Sequence, residues 1–396
     1  TTGGRGGLPG ASCGLMDAGG RGHMGENGPA NPAHDLPAHV LRARREGRYT
    51  PGRGPWYCSR ILPTAVPVLR QTLLDTGTTR WKADNSYVAL LRGVVMERAA
   101  IPDGDYGAYR ACGICRARAW HLVHPTFVIG GWQAAAYHGL PYWADDAPVV
   151  MYTDDRARGG ATSTVGAAAA PFRAVVRALP AGFDLHRDTV APDPAFPRLR
   201  VMSAPVALAQ CLRSVLSGEH GWWVSTVPGL TWRTVRAVQL IDAVAQCTTV
   251  TWSDLESAAK GLVSRRTLRQ LERLVSVGAE SPRETELRLF VRDMLPPGCH
   301  WRTQLPVSYR DVQADGSVKI RRTFLDLGCP ELRLGLYYDG KHHEGDDQTE
   351  KDFAQLQDLG DERWTVIRVN KDLMKNTRKM LAQIGSAIDR AVGSAP

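Results

Sequence analysis

A proline pair, Pro296-Pro297, ends a helix that opens at Ser281-Pro282-Arg283-Glu284, and this bounded helix with the strand runs beyond it limits the fold of the last part of the chain more than any other feature. Ser281 stands as the N-cap, Pro282 at the first helical position and Glu284 at the third, the arrangement of a capping box. The helix carries Leu287, Leu289, Phe290, Val291 and Met294, and two prolines cannot prolong it. Strand candidates come next, at 301–309, 320–327 and 332–338. A helix is expected over 347–359. The nearly unbroken apolar run 364–369 (WTVIRV) suits a buried strand. A last helix is expected from about 372 to 392. The order α-β-β-β-α-β-α defines an α/β domain over 281–394.

The rest of the chain reads differently. Residues 1–35 are rich in glycine and nearly free of large apolar side chains. They cannot bury enough surface to offset their ordering entropy, so a disordered leader is expected. Met16 and Met24 leave room for a later translation start. Residues 36–100 form a basic region holding Arg42, Arg44, Arg45, Arg48, Arg53 and Arg60, with Trp56 and Tyr57 interleaved. Helices are expected at 38–48 and 64–74, then a strand–turn–strand over 87–96 around Gly93. Helices followed by a small hairpin suggest a winged-helix remnant; a plain basic α+β lobe accounts for the pattern equally well. Residues 101–278 read as a mixed α/β middle region. Its helices are expected at 111–124, within 127–140 ending near Gly139, and at 205–216, 234–245, 252–261 and 265–277. Its strands fall at 147–153 and 172–178. The whole is a multidomain α+β chain.

The formal net charge is +9. From Ser281 onward 18 Lys and Arg face 18 Asp and Glu, so the entire excess lies upstream. A basic balance of this size attracts phosphate backbones. Eight cysteines scattered over 396 residues do not form a disulfide framework and suit reduced thiols in a cytoplasm. No apolar run approaches a membrane span, and the N-terminus lacks the order of a secretory signal. A cytoplasmic protein acting on DNA, with no membrane partner, is the expectation.

Two of the C-terminal strands each carry an acid. Phe324-Leu325-Asp326-Leu327 puts Asp326 among apolar neighbours, and Tyr337-Tyr338-Asp339-Gly340-Lys341 puts Asp339 at a strand end. An ionised carboxylate in such company is costly unless compensated. A hard divalent cation, Mg²⁺ or Mn²⁺, would compensate it. Two acids on neighbouring strands with Lys341 two residues beyond the second suit phosphodiester hydrolysis. His342 or His343 can carry a proton, although adjacent histidines in a polar loop are often bystanders. Asp339-Gly340 is also a turn signal, and Glu284 can be a cap, a ligand or both.

The runs SPRETELR, RTFLDLGCPELRLGLYYDGKHH, QTEKDFAQL and ERWTVIRV resemble the very-short-patch-repair (Vsr)-like branch of the PD-(D/E)xK nuclease superfamily. This resemblance implies a restriction-endonuclease-like fold and a metal-dependent DNA endonuclease. It makes Asp326 the first acidic motif, Glu284 the helical acid and Asp339 part of the second motif. His342 and His343 become its histidine tail, with Tyr337, Gln348 and Lys351 in support. That branch commonly has an acid where Tyr337 stands. A phenol, with a pKa of about 10, is a poor ligand. Either Asp339 and Lys341 form an alternative pair, or the domain is a catalytically weak relative. Upstream, YVALLRGVVM and GGWQAAAYHGL resemble the AbiEi antitoxins of type IV toxin–antitoxin systems. That resemblance implies a DNA-binding regulator and a toxin partner.

Other features read more plainly. Cys112-Gly113-Ile114-Cys115 with His121 and His124 lacks the spacing of a zinc finger. Trp222 and Trp223 read as packing aromatics. Arg321-Arg322 is a solvated pair that can also touch phosphate.

Overall fold

Three separate sheets organise the computed structural model. It describes residues 42, 45–46, 60–101, 103–154, 173–313, 315–340 and 346–393, with the backbone alone over 346–353. The expected leader lies outside the described residues, as do Arg44, Arg48, Arg53, Lys341, His342 and His343. Contacts divide the chain between Leu36 and Pro37. The second of these two units holds all three sheets.

The first sheet is built by β1 (Val68–Leu69), α1 (Arg70–Asp75), α2 (Arg80–Ser86), β2 (Tyr87–Leu91) and β3 (Val94–Glu97), in the strand order β1-β3-β2. Both pairings are antiparallel. The expected hairpin is present, and Gly93 turns it at φ +79°, a value that side chains resist. The helix expected at 64–74 does not form as such. Pro67 biases the residue before it toward extended backbone; Val68 and Leu69 pair with β3, and helix starts only at Arg70.

The second sheet has five strands in mixed pairing, ordered β6-β5-β4-β8-β7. In chain order its elements are α3 (Gly113–Val123), β4 (Val128–Gly130), α4 (Gly131–Tyr137), β5 (Val149–Thr153), β6 (Ala174–Ala178), α5 (Leu185–Asp188), β7 (Thr189–Val190) and β8 (Val201–Met202). Then come α6 (Ala204–Ser217), α7 (Trp232–Cys247), α8 (Trp252–Ala258) and α9 (Arg265–Glu272). The helix α4 packs on α6, and α6 on α7. α9 stops at Glu272, short of the expected 277, because the amides of Leu274 and Val275 both turn back to the Leu271 carbonyl.

The third sheet comes after α10 (Pro282–Val291), which ends before Met294 and the Pro296-Pro297 pair expected to stop it, as the Met294 amide turns back to the Val291 carbonyl. It is formed by β9 (Arg302–Val312), β10 (Val318–Cys329), β11 (Leu334–Asp339) and, after α11 (Asp346–Asp361), β12 (Thr365–Asn370). The order is β12-β11-β10-β9. The first three strands run antiparallel, and β12 lies parallel to β11. A parallel neighbour requires a crossover, and α11 supplies it. The final helix is broken into α12 (Lys371–Lys375) and α13 (Thr377–Gly393). Two asparagines explain the break. Asn370 accepts from the Leu373 amide at 2.8 Å and Asn376 from the Lys379 amide at 3.2 Å, so each caps its own helix.

α7 and α10 join the second sheet to the third. Asp242 of α7 accepts from Thr285 Oγ1 at 2.9 Å and Arg288 Nη2 at 2.7 Å. One buried hydrophobic cluster runs from Leu62 to Ile388. A smaller one, Leu305, Val307, Leu325 and Leu359, lies between the third sheet and α11. The protein is thus mixed α+β. Among the described residues, no helix is long and apolar enough to cross a membrane.

Candidate functional site

Asp326 sits where the alternation of β10 breaks. Leu325 belongs to the small cluster with Leu359 of α11, whereas Leu327 joins the main core on which α10 packs. Side chains that alternated regularly would put residues 325 and 327 on one face. The neighbouring strand shows the matching distortion, with Gln304 at φ +49°. The ladder pairs Leu325 with Leu305 and Leu327 with Thr303, leaving Asp326 and Gln304 at the irregular step between. Irregularities of this kind re-aim side chains. Here one carboxylate is directed out of an apolar strand, while its Oδ2 accepts from the Tyr338 amide at 2.6 Å.

Glu284 lies on the N-terminal turn of α10. Ser281 Oγ caps the Glu284 amide at 3.2 Å and donates to Glu284 Oε1 at 2.8 Å. The expected capping box is modified, since the Glu284 carboxylate reaches one residue further back, to the Glu280 amide at 2.8 Å. Gln304 Nε2 also approaches Glu284 Oε2, at 3.5 Å, and the same side chain bonds Asp326. The two acids therefore share one amide. Burial, then the charge of Asp326, pushes the Glu284 carboxyl up to about 8. Burial pushes Asp326 up to about 6, against the pull of the Tyr338 amide and Gln304. Among the described residues no Lys or Arg forms an ion pair with either acid.

Asp339 meets the other side of this arrangement. Asp326 and Asp339 line one cavity of about 250 Å³, together with Thr323, Tyr337, Gln355 and Arg368. Both acids face this one cavity; Glu284 is not among the lining residues. Asp339 is paired, with Arg368 Nη2 2.9 Å from its carboxylate. Tyr337 stands opposite Arg368 in the parallel ladder. Its hydroxyl exchanges a hydrogen bond with Thr323 Oγ1 at 2.9 Å and accepts from Gln355 Nε2 at 3.3 Å. Burial holds that phenol up at about 12.

The remaining expected residues are scattered or undescribed. Arg321 is exposed and bound to Asp311 at 2.7 Å, and Arg322 is exposed with its guanidinium over the Phe324 ring. They lie four to five residues along the strand from Asp326, roughly 13–17 Å away. Arg42 and Arg45 are exposed. Gln348 and Lys351 belong to α11, but their side chains are outside the described residues. Sequence reasoning misses Gln304, Gln355 and Arg368. Arg368 carries a usable signal: it is the one charge in the apolar run 364–369, the same kind of anomaly that singles out Asp326.

Glu284 and Asp326 are the described acids that could hold a hard divalent ion, as hard oxygen donors do. Two half-buried carboxylates approached by one amide, with no ion-pair partner among the described residues, carry mutual repulsion that such an ion relieves. A third acidic, histidine or cysteine donor does not converge with them among the described residues. The chain matches no family model, no curated protein and no solved structure.

Proposed function

We propose that residues 281–394 form a metal-dependent nuclease-like domain that hydrolyses DNA phosphodiesters, as the Vsr-like resemblance implies. The observation that carries this reading is the approach of Gln304 to both Glu284 and Asp326 at the distorted step of the β9–β10 pair. The order of helix and strands from α10 to α13, with a β11–α11–β12 crossover, supports a restriction-endonuclease-like fold. A bound Mg²⁺ or Mn²⁺ would supply Lewis-acid stabilisation of charge developing on the phosphate. Glu284 and Asp326 would hold it. Gln304 keeps both carboxylates oriented, and the Tyr338 amide fixes one oxygen of Asp326. Arg368, beside the same cavity, offers a fixed guanidinium to a phosphate oxygen once Asp339 yields it. Lys341, His342 and His343 come directly after β11 in the chain and are the side chains available to serve the attacking water and the leaving group.

The test is nicking of supercoiled plasmid by the full chain with Mg²⁺ or Mn²⁺. Nicking that D326N and E284Q reduce by about a hundredfold or more fits the reading. Nicking untouched by D326N, or absent with either metal, removes it.

A second reading rests on its own observation. Arg368 already neutralises Asp339, and a tethered phenol occupies the position where an acid is common. This favours a non-catalytic DNA-binding regulator, with or without a toxin partner, that retains the fold. The β1-α1-α2-β2-β3 lobe, with its three-stranded antiparallel sheet, supports a winged-helix element in either case. Salt-sensitive retention of duplex DNA without cleavage distinguishes this alternative.

A further inference from the structure

Trp222 packs on the core as its sequence reading suggests, whereas its neighbour Trp223 is 65% exposed, and Trp232 is 46% exposed. Exposed indoles are costly to leave in water, and these two are surrounded by guanidinium groups. Arg283 Cζ lies 4.9 Å from the centre of the Trp223 ring. Arg236 and Arg233 lie 4.5 Å and 4.8 Å from that of Trp232. Arg236 also faces Trp222 at 5.9 Å, and Trp222 stacks on Trp143 at 3.8 Å with planes 11° apart. Flat groups therefore succeed one another from Trp143 through Trp222, Arg236 and Trp232 to Arg233.

The two exposed indoles are linked through the Trp222-Trp223 segment and α7. Gln239 of α7 accepts from Trp222 Nε1 at 2.6 Å and donates to Glu286 and to the Pro282 carbonyl of α10. The Trp222-Trp223 pair is thereby held between α7 and the start of α10, with one indole turned to Arg236 and the other to Arg283. Arg236 packs so closely on Gly221 that a Cβ there would collide with its Nη1. Its Nε is buried without an acceptor, and among the described residues neither Arg233 nor Arg236 forms an ion pair. Arg283 is paired with Glu286 at 2.8 Å.

We propose that Trp223, Trp232, Arg233, Arg236 and Arg283 form a binding surface for single-stranded nucleic acid. Two cations without carboxylate partners, Arg233 and Arg236, call for an anion, and the exposed parts of the two indoles suit flat, unpaired partners. A single strand supplies both, whereas a duplex hides its base faces and an acidic peptide has none. The charge excess upstream of Ser281 acts in the same direction. Arg283 precedes Glu284 in the chain, so the surface adjoins the carboxylate site. The inference rests on the reading of that site as acting on DNA, and it specifies an unpaired strand as what reaches it.

Binding is measured on the full chain in EDTA, by fluorescence anisotropy of a labelled oligothymidylate of about 16 nucleotides and of a duplex of equal length. The single strand should bind about tenfold tighter than the duplex and quench tryptophan emission. W223A and W232A should each weaken it about tenfold, W232F should retain most of the affinity, and R236Q should lower the salt slope by about one. Circular dichroism establishes that the variants are folded. Unchanged affinity in folded W223A and W232A, preference for duplex, or capture of polyglutamate in place of the oligonucleotide would overturn the proposal. Because metal is absent, the result is separate from the nicking assay. Binding without nicking leaves this surface standing and removes the hydrolase, and nicking without single-strand binding does the reverse.

Discussion

Arg368 Nη2 lies 2.9 Å from Asp339 Oδ2, across the parallel ladder of β11 and β12. A permanent cation therefore sits where a divalent ion would otherwise recruit Asp339. Arg368→Gln should release that carboxylate. Mn²⁺ affinity, measured by calorimetry, is expected to rise several-fold above the parent, because a third hard donor becomes free. D339N should lower Mn²⁺ affinity modestly, since it leaves the Arg368 charge uncompensated beside the cavity. Equal affinities for R368Q and the parent would show that Asp339 is no latent ligand.

Tyr337 offers a second measurement in the same cavity. Its hydroxyl is tied to Thr323 and Gln355, and burial keeps it protonated well beyond neutral pH. Tyr337→Phe leaves both partners short of one bond and should cost about 1 kcal/mol in urea unfolding. Tyr337→Glu places an acid at the position where the resembling branch commonly has one. It should increase divalent-ion affinity and any nicking. A folded Y337E with unaltered metal affinity would count against the cavity as a metal site.

Stability should depend on pH through Glu284 and Asp326. Glu284 titrates at about 8 and Asp326 at about 6, against ordinary values of 4.5 and 3.8. Between ordinary and folded values the native state holds protons that the unfolded chain has lost, so stability falls as pH rises. The penalty is absent below the ordinary carboxylate values and complete above about 8. A divalent ion takes the place of those protons. Thermal melts should therefore show a larger rise on adding Mg²⁺ at pH 8 than at pH 6, and E284Q should flatten the metal-free slope. A rise that is equal at both values would mean that the pair does not hold the ion.

The signals legible in the sequence are local ones. The cap at Ser281 and the apolar strand runs place the elements of the third sheet in order, because each signal is contained within a few residues, whereas the helix end expected at Pro296 falls at Val291. The acid in FLDL marks Asp326 for the same reason. The features that sequence hides depend on distant partners. Gln304 lies in a strand that looks ordinary, and only the pairing with β10 brings it between two carboxylates. Trp223 reads as packing because apolar type stands in for burial in a sequence, and burial is decided by which helices close over the side chain. The helix expected at 64–74 fails locally, at Pro67.

The joint between α7 and α10 gives the most direct stability test. Asp242 is 2% exposed, and burial raises its carboxyl pKa while Arg288 and the Ser276 amide oppose that. Its oxygens accept from Ser276, Thr285 and Arg288, at 2.9, 2.9 and 2.7 Å. Removing the acid would strand a largely buried guanidinium and two donors, and breaking such a pair from one side costs about 3–5 kcal/mol. Asp242→Ala should destabilise the protein by that amount in chemical denaturation. Adding R288M to D242A should recover part of the loss, since the stranded charge goes with it. The same variants bear on the carboxylate site. Arg288 is one turn beyond Glu284 on α10, so a loosened α10 should separate Glu284 from Asp326 and weaken Mn²⁺ binding in D242A under conditions where the protein stays folded. Full metal affinity in a folded but destabilised D242A would show that Glu284 is positioned by its own cap and not by the joint.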